Sequence, residues 1–141
     1  MKNDCPFCDE EVRKDGLLYE TENFFVKIPF GLMAPGHVMV VSKHHFSSFA
    51  TIPGELDDEF IQLKAKVGDL VTKKFGDWFV VEYGPRTQTV PHAHLHFIPK
   101  QSFRYHIKSI MEEMVRKSGF EITLVTLAQL KEFCLKNGTY I

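Results

Sequence analysis

Three histidines stand on alternate residues of one short run of the chain, VPHAHLHFIP at 90–99. They are His92, His94 and His96, and the residues between them are apolar. Side chains alternate between the two faces of a β-strand, so this run predicts a strand with three imidazoles on one face and apolar residues toward the core. Neighbouring imidazoles would lie about 6.6 Å apart at the backbone. Chance alternation of this kind is improbable, and the run therefore indicates a functional site.

A row of imidazoles permits two kinds of chemistry. In the first, the imidazoles bind a catalytic metal ion that keeps an open position for water. In the second, a neutral imidazole attacks an electrophile while neighbouring groups fix its tautomer and stabilise the charge. The histidine run by itself leaves both alternatives open.

A pair of cysteines, Cys5 and Cys8, has the C-x-x-C spacing of a zinc clip, and SKHH at 42–45 supplies His44 and His45. Two thiolates and two imidazoles would fill a tetrahedral structural site with no open position. A redox dithiol is the alternative, which we disfavour because no helix or βαβ unit obviously follows the pair. The third cysteine, Cys134, is distant, and an odd count is unlike a secreted disulfide framework.

The segments around these residues predict an α+β fold with a mostly antiparallel sheet, a long helix and extra C-terminal helices. Apolar residues at helical spacing predict the long helix from Glu55 to Lys74, which Gly76 ends. Alternating or continuous apolar runs predict strands at four places: 17–30 (two strands), 36–42, 77–84 and 92–98. Beyond these we expect a helix at about 104–117, a strand at 121–125 and a last helix.

Length and composition place the chain among ordinary globular proteins. With 141 residues, 44% of them hydrophobic and 25% charged, residues 1–141 are expected to form a single domain. A net charge of −1 argues against broad electrostatic binding to nucleic acid. No apolar run approaches the roughly 20 residues of a membrane span, and the polar start MKNDCPFCDEE is unlike a signal peptide. We therefore expect a cytoplasmic protein that does not bind membranes.

Three separated motifs resemble those of the histidine triad (HIT) superfamily of nucleotide hydrolases and transferases. HAHLHFI, within QTVPHAHLH, is similar to the signature that gives the superfamily its name. APGHVMVVSKHH resembles its Pro-Gly-His-strand-Lys-x-His block, and CPFC resembles the cysteine pair of many bacterial members. The motifs occur in the right order and cover about residues 5–99. Residues 100–141 match neither the Hint-like nor the Fhit-like C-terminus and form a divergent extension.

The resemblance implies a nucleotide phosphohydrolase or nucleotidyltransferase in which His94 is the nucleophile. His94 would attack the α-phosphate and form a nucleotidyl-histidine intermediate, which water or another acceptor resolves. His96 would contact the phosphate, and Gln88 and Thr89 would donate hydrogen bonds to the phosphate or the leaving group. An imidazole with an ordinary pKa near 6.5 is mostly neutral at cellular pH, as this role requires.

The resemblance also implies a structural zinc ion held by Cys5, Cys8, His45 and His92, with His44 as the substitute ligand if the register slips by one. It implies a homodimer in which edge strands form one continuous sheet. The substrate would be a nucleotide: a phosphoramidate, a dinucleoside polyphosphate or a sugar nucleotide. His37 in APGH matches the family, and we interpret it as a structural residue at the start of a strand.

Two features depart from the family pattern. Glu82 stands where Hint-like members have Asn, and Arg86 lies in a Pro-Arg-Thr run where glycines are common. Arg86 is either a phosphate contact or a solvated loop charge. Glu82 and the divergent C-terminal extension keep one alternative open, a zinc-stabilised nucleotide-binding or interaction protein with little turnover. A third hypothesis is a metal-dependent hydrolase whose triad holds the zinc. Gln88 and Thr89 beside an intact triad favour the enzyme that acts through His94.

Overall fold

A computed structural model of the chain describes residues 4–31 and 35–100. The elements expected between residues 101 and 141, together with Cys134, lie outside the described residues. Within the described ranges the helices are α1 (Glu10–Lys14) and α2 (Asp57–Phe75), and 3-10 turns span Pro6–Cys8, Phe49–Thr51 and Gly54–Leu56. The strands are β1 (Leu17–Glu20), β2 (Phe24–Lys27), β3 (Val38–Ser42), β4 (Trp78–Val81) and β5 (His94–Pro99). None of these helices is both long and apolar enough to cross a membrane.

The five strands form one sheet in the order β1-β2-β3-β5-β4, and every neighbouring pair is antiparallel. Val41 of β3 pairs with Phe25 on one side and with His94 on the other. Residues paired in this way point to the same face of a sheet. The observed sheet and the long helix α2 confirm the predicted α+β fold.

The main hydrophobic core lies between the sheet and α2. It contains the residues predicted to alternate with the histidines, Ala93, Leu95 and Phe97, each of which is buried. Leu63, Val67 and Val71 of α2 pack against them. Side chains three and four residues apart lie on one face of a helix, so this spacing directs α2 onto the sheet.

The opposite face of the sheet is covered by the N-terminal segment, residues 4–16. A second cluster there joins Phe7 to Phe25, Met39 and Val41 of the sheet. Two cations fasten the segment. Lys27 Nζ donates to the carbonyl of Val12 (2.7 Å), and the guanidinium of Arg13 donates to the carbonyls of Phe7 (Nε, 2.7 Å) and Lys43. The histidine row lies on this second face.

Two expectations from the sequence are wrong. A helix does follow the cysteine pair, because α1 begins directly after Asp9, whose carboxylate accepts from the backbone N–H groups of Glu11 (2.8 Å) and Val12 (3.4 Å). A five-residue helix is too short to show apolar periodicity, although its acidic start and basic end were visible. In addition, β5 begins at His94, so His92 precedes the strand.

Candidate functional site

Four side chains from three segments of the chain come together on the face of the sheet that the N-terminal segment covers. One ligating atom from each of Cys5, Cys8, His45 and His92 lies within 4.8 Å of the others. His92 Nδ1 is 3.4 Å from Cys5 Sγ and 3.6 Å from Cys8 Sγ, and His45 Nδ1 is 3.3 Å from Cys8 Sγ. We call these four residues the Cys-His tetrad. Two thiols and two imidazoles at this spacing match the donor set of a tetrahedral zinc site.

Local backbone structure brings the tetrad together. The 3-10 turn Pro6–Cys8 places Cys5 and Cys8 side by side, since Cys8 N–H donates to the Cys5 carbonyl at 3.0 Å. His45 follows the end of β3. His92 sits in a tight turn in which its own N–H donates to the Val90 carbonyl at 2.8 Å, and this turn directs its ring away from the strand that follows.

The tautomer of His92 suits metal binding. Its Nε2 lies 2.6 Å from the carbonyl oxygen of Ser42, which can only accept, so Nε2 carries the proton and Nδ1 presents a lone pair to the thiols. The ring is fully buried, and burial lowers the pKa of His92 to about 4, although the hydrogen bond to Ser42 opposes this shift. A neutral imidazole held by a carbonyl on its far nitrogen is the usual state of a metal ligand.

The structure distinguishes the two adjacent histidines of SKHH. The imidazole of His44 points toward β2, where its Nε2 lies 3.2 Å from Asn23 Oδ1. The imidazole of His45 points toward the cysteines. His45 therefore belongs to the Cys-His tetrad, and His44 does not.

The middle histidine of the triad is fixed by the backbone of the first. His94 Nδ1 lies 2.6 Å from the carbonyl oxygen of His92, so Nδ1 donates and the neutral ring carries no proton on Nε2. The side chain is buried, with only 6% of its surface exposed. The ring of His96 lies beside it, with 5.1 Å between the ring centroids. This geometry gives His94 the tautomer that a nucleophile needs, with its lone pair on Nε2.

A fourth histidine joins the triad, which the sequence interpretation did not foresee. His37 Nε2 lies 2.9 Å from His96 Nδ1, and His37 is 2% exposed. Burial lowers the pKa of His37 to about 4, which keeps this ring neutral at physiological pH. If His37 donates in this bond, the proton of His96 resides on Nε2, where it can bond an anion. In the sequence, only the match of APGH to the family points to His37, and it indicates a structural residue at the start of a strand and not a partner of His96.

The two predicted phosphate donors lie in the loop before the triad. Gln88 Nε2 donates to the carbonyl of Ser47 at 2.8 Å, and its Oε1 is buried with no hydrogen-bond partner among the described residues. Thr89 is exposed. One amide proton of Gln88 is thus already used by the protein.

The two residues that depart from the family pattern have different surroundings. The carboxylate of Glu82 accepts from Ser48 Oγ at 2.8 Å and from the backbone N–H of Phe49 at 3.3 Å, at the start of the 3-10 turn Phe49–Thr51. Carboxylates are favourable at such N-termini. Arg86 is exposed in its loop. Glu82 therefore supports the loop that also holds Gln88, through adjacent residues 47 and 48.

Burial of His37 should make the stability of the protein depend on pH. An unfolded histidine has a pKa near 6.5, so the stabilisation present above pH 6.5 is lost as the pH falls toward 4. The full loss corresponds to about 3 kcal/mol. We expect wild type to lose about this much more stability than His37→Gln between pH 7.5 and pH 4, as measured by urea unfolding. Titrating groups distant from His37 are shared and cancel in the difference, and the glutamine amide can keep a donor for His96 Nδ1, so equal losses in both proteins would contradict this prediction.

Comparisons with known proteins show what this chain is similar to. The family model of the HIT domain matches residues 10–103. A galactose-1-phosphate uridylyltransferase from Thermotoga maritima is 33% identical over 84 residues, which cover 58% of this chain and 25% of that protein. The chain thus spans about a quarter of that curated relative.

Two solved structures share the fold. A hypothetical protein from Leishmania major superposes with a TM-score of 0.65 and 22% identity, over 97% of this chain and 95% of that one. A Zn-bound histidine triad family protein from Mycobacterium smegmatis gives a TM-score of 0.61 and 22% identity, over 70% and 76% of the two chains. The family match extends over most of the chain and includes His92, His94, His96 and the helix α2. The chain belongs to the HIT domain family.

Proposed function

We propose that this protein is a nucleotide phosphohydrolase or nucleotidyltransferase that acts through a nucleotidyl-histidine intermediate on His94. One observation carries the proposal: the hydrogen bond from His94 Nδ1 to the His92 carbonyl leaves the lone pair of the imidazole on Nε2. Membership of the HIT domain family supports it, and the similarity to a uridylyltransferase supports nucleotide or sugar-nucleotide substrates.

The proposed reaction has two displacements at the α-phosphorus. In the first, the Nε2 lone pair of His94 forms a bond to phosphorus, and the bond to the leaving group breaks with its electron pair. The imidazole becomes cationic, and the His92 carbonyl that accepts Nδ1–H stabilises this charge. In the second, the oxygen of water or of another acceptor forms a bond to phosphorus and releases its proton to solvent, while the P–N bond breaks and returns its electron pair to Nε2, which regenerates neutral His94.

His96 and His37 would act together on the phosphate. Because His37 is buried and neutral, it can donate from Nε2 to His96 Nδ1, which places the His96 proton on Nε2. His96 would then donate to a phosphate oxygen as charge develops there. The remaining amide proton of Gln88 and the exposed hydroxyl of Thr89 are proposed as further donors to the phosphate or the leaving group.

We propose that the Cys-His tetrad binds one structural zinc ion. Its four ligands would complete a tetrahedral shell, so a bound zinc would serve to hold these segments together and not to activate water. His92 would bind through Nδ1 while its Nε2–H bonds Ser42. Because its carbonyl accepts from His94, a fixed His92 also fixes the proposed nucleophile.

This geometry favours nucleophilic catalysis over a catalytic metal held by the triad. His92 faces the cysteines, His94 Nδ1 donates to a carbonyl, and His96 Nδ1 bonds His37. Among the described residues, the Cys-His tetrad is the one group of three or more such side chains close enough to hold a metal ion.

A direct test is to trap the intermediate. The protein is mixed with a nucleotide labelled at the α-phosphate, quenched at alkaline pH to preserve phosphoramidate bonds, and mapped by mass spectrometry. We expect the label on the 92–96 peptide at His94. Absence of label with each of a phosphoramidate, a dinucleoside polyphosphate and a sugar nucleotide would favour the alternative, a zinc-stabilised nucleotide-binding or interaction protein. The bond between Gln88 and Ser47, which occupies one predicted phosphate donor, is the observation that favours this alternative.

We propose further that the protein is a homodimer in which edge strands pair, as the family resemblance implies. Light scattering at micromolar concentration should give twice the chain mass of 16.3 kDa. In the described part of the sheet the edge strands are β1 and β4, with Leu18 and Val80 exposed on them. Lysine on a pairing edge blocks association, so Val80→Lys and Leu18→Lys identify which edge is used. A monomeric mass for wild type would exclude the dimer.

A further inference from the structure

Phe7 lies between the two cysteines, yet its ring is buried against the sheet. It is 5% exposed and is the one buried residue of the turn Pro6–Cys8. Its apolar neighbours in the second cluster are Phe25, Met39 and Val41.

The ring of Phe7 contacts two histidines with different proposed roles. Its centroid is 5.2 Å from that of His94 at an interplanar angle of 69°, and 5.7 Å from that of His92 at 86°. Both are edge-to-face arrangements within the preferred range of about 4.5–7 Å. The same ring thus touches a proposed metal ligand and the proposed nucleophile.

The backbone holds Phe7 in place from both sides. The turn is closed by the Cys8 N–H bond to the Cys5 carbonyl, and the carbonyl of Phe7 accepts from Arg13 Nε at 2.7 Å. Arg13 belongs to α1, and its guanidinium lies 5.4 Å from the centroid of the Phe25 ring. The position of the Phe7 ring is therefore set by the N-terminal segment as a whole.

We propose that Phe7 is a positioning residue for His94; this rests on the proposed role of His94 as the nucleophile. The hydrogen bond from Nδ1 to the His92 carbonyl favours one of the two orientations of the ring about χ2, a torsion that is broad and roughly two-fold for histidine. Rotation by half a turn would exchange the positions of the nitrogen and carbon atoms of the ring. The ring of Phe7, packed in an edge-to-face arrangement with that of His94, opposes the same rotation, so Nε2 stays directed at the site of the α-phosphorus.

The chain offers a matched control for this proposal. Phe25 belongs to the same apolar cluster and is buried to the same degree, but it lies two strands from His94, across Val41. Phe7→Leu and Phe25→Leu each exchange a buried aromatic ring for a similar aliphatic side chain. A general packing role predicts equal effects of the two substitutions on His94.

The experiment measures zinc content, kcat, KM and the ¹⁵N signals of the His94 ring in wild type and both variants. With adenosine 5′-phosphoramidate as substrate, we expect Phe7→Leu to lower kcat about tenfold, because aromatic contacts contribute about 0.5–1.5 kcal/mol and 1.36 kcal/mol is tenfold in rate. KM should stay within about twofold of wild type, since the displacement and not substrate binding loses its geometry. The ¹⁵N spectrum should change from one form, protonated at Nδ1, to a mixture. Phe25→Leu removes the ring beside Arg13 but leaves the bonds from Arg13 to the carbonyls of Phe7 and Lys43, so it should retain the wild-type kcat and spectrum.

Three outcomes would overturn the proposal: equal losses of kcat in both variants, a rise of KM alone in Phe7→Leu, or an unchanged ¹⁵N spectrum of His94 in Phe7→Leu. Failure of the proposed function is distinguishable, because it appears as absence of nucleotide on His94 in wild type. In that case the ¹⁵N spectrum of the unliganded protein still decides whether Phe7 fixes the ring.

Discussion

Replacing His94 with asparagine is expected to abolish turnover of an adenosine phosphoramidate or similar nucleotide while the fold and the zinc content stay intact. Asparagine can keep a donor near the His92 carbonyl, but it has no basic nitrogen with which to attack phosphorus. Loss of a nucleophile that acts together with its partners costs on the order of 10⁴–10⁶-fold in kcat. The rate, the unfolding curve and the metal content of one preparation test the prediction together.

Two histidine variants serve as controls. The imidazole of His44 bonds Asn23 and belongs neither to the Cys-His tetrad nor to the histidine triad. Activity and zinc should therefore be retained in His44→Asn. His92→Ala should lose zinc, stability and activity together. The His92 ring belongs to the Cys-His tetrad, and without it the backbone carbonyl of residue 92, which accepts from His94, is no longer held in place.

The same variants separate the three functional hypotheses. If the triad held a catalytic zinc, His94→Asn would lose metal, and chelators would stop wild-type turnover at once. If the protein only binds nucleotides, no substrate would turn over, and His94→Asn would change affinity alone. Retained zinc with lost turnover is the combination that only the nucleophile hypothesis predicts.

Periodic features of the sequence predicted the frame of the site. The alternation of Ala93, Leu95 and Phe97 with histidines gave the correct buried face, and helical spacing gave α2 to within about two residues at each end. Each of these two patterns extends over several positions, and every apolar residue in it favours the same buried face, so the prediction does not depend on any single residue. The alternation does not extend to His92, because this residue lies in a turn before β5 begins at His94.

Contacts between distant segments could not be read in this way. Which histidine of SKHH faces the cysteines depends on the direction of a loop, and the hydrogen bond to Asn23, just before β2, holds His44 away from them. The bond between His37 and His96 joins the residue just before β3 to strand β5, and it depends on side-chain burial that no local pattern expresses. The family resemblance supplied His45 as a ligand but gave no role for Phe7.

Loss of the proposed zinc site is expected to have the second largest effect on the protein. Wild type purified without chelator should retain about one equivalent of zinc per chain after gel filtration, and Cys8→Ser should retain none. Cys8 is the natural choice, because its Sγ lies within 3.3 Å of His45 Nδ1 and 3.6 Å of His92 Nδ1, in contact with both imidazoles of the tetrad. Elemental analysis measures both quantities directly.

The zinc-free variant should also be less stable. A ligand present at about 1,000 times its Kd stabilises the folded state by about 4 kcal/mol, and a domain of this size shifts its Tm by a few degrees for each kcal/mol. We therefore expect the Tm of Cys8→Ser to fall by roughly 10 °C or more. Cys134→Ser makes the same chemical change at a cysteine that is not one of the Cys-His tetrad and should retain zinc.

Wild-type protein that contains no zinc, but shows a disulfide between Cys5 and Cys8 after mild oxidation, would instead establish the redox dithiol. In that event the turn Pro6–Cys8 would still hold Phe7 beside His94, so the two alternatives differ in what closes the turn and not in where it places the ring.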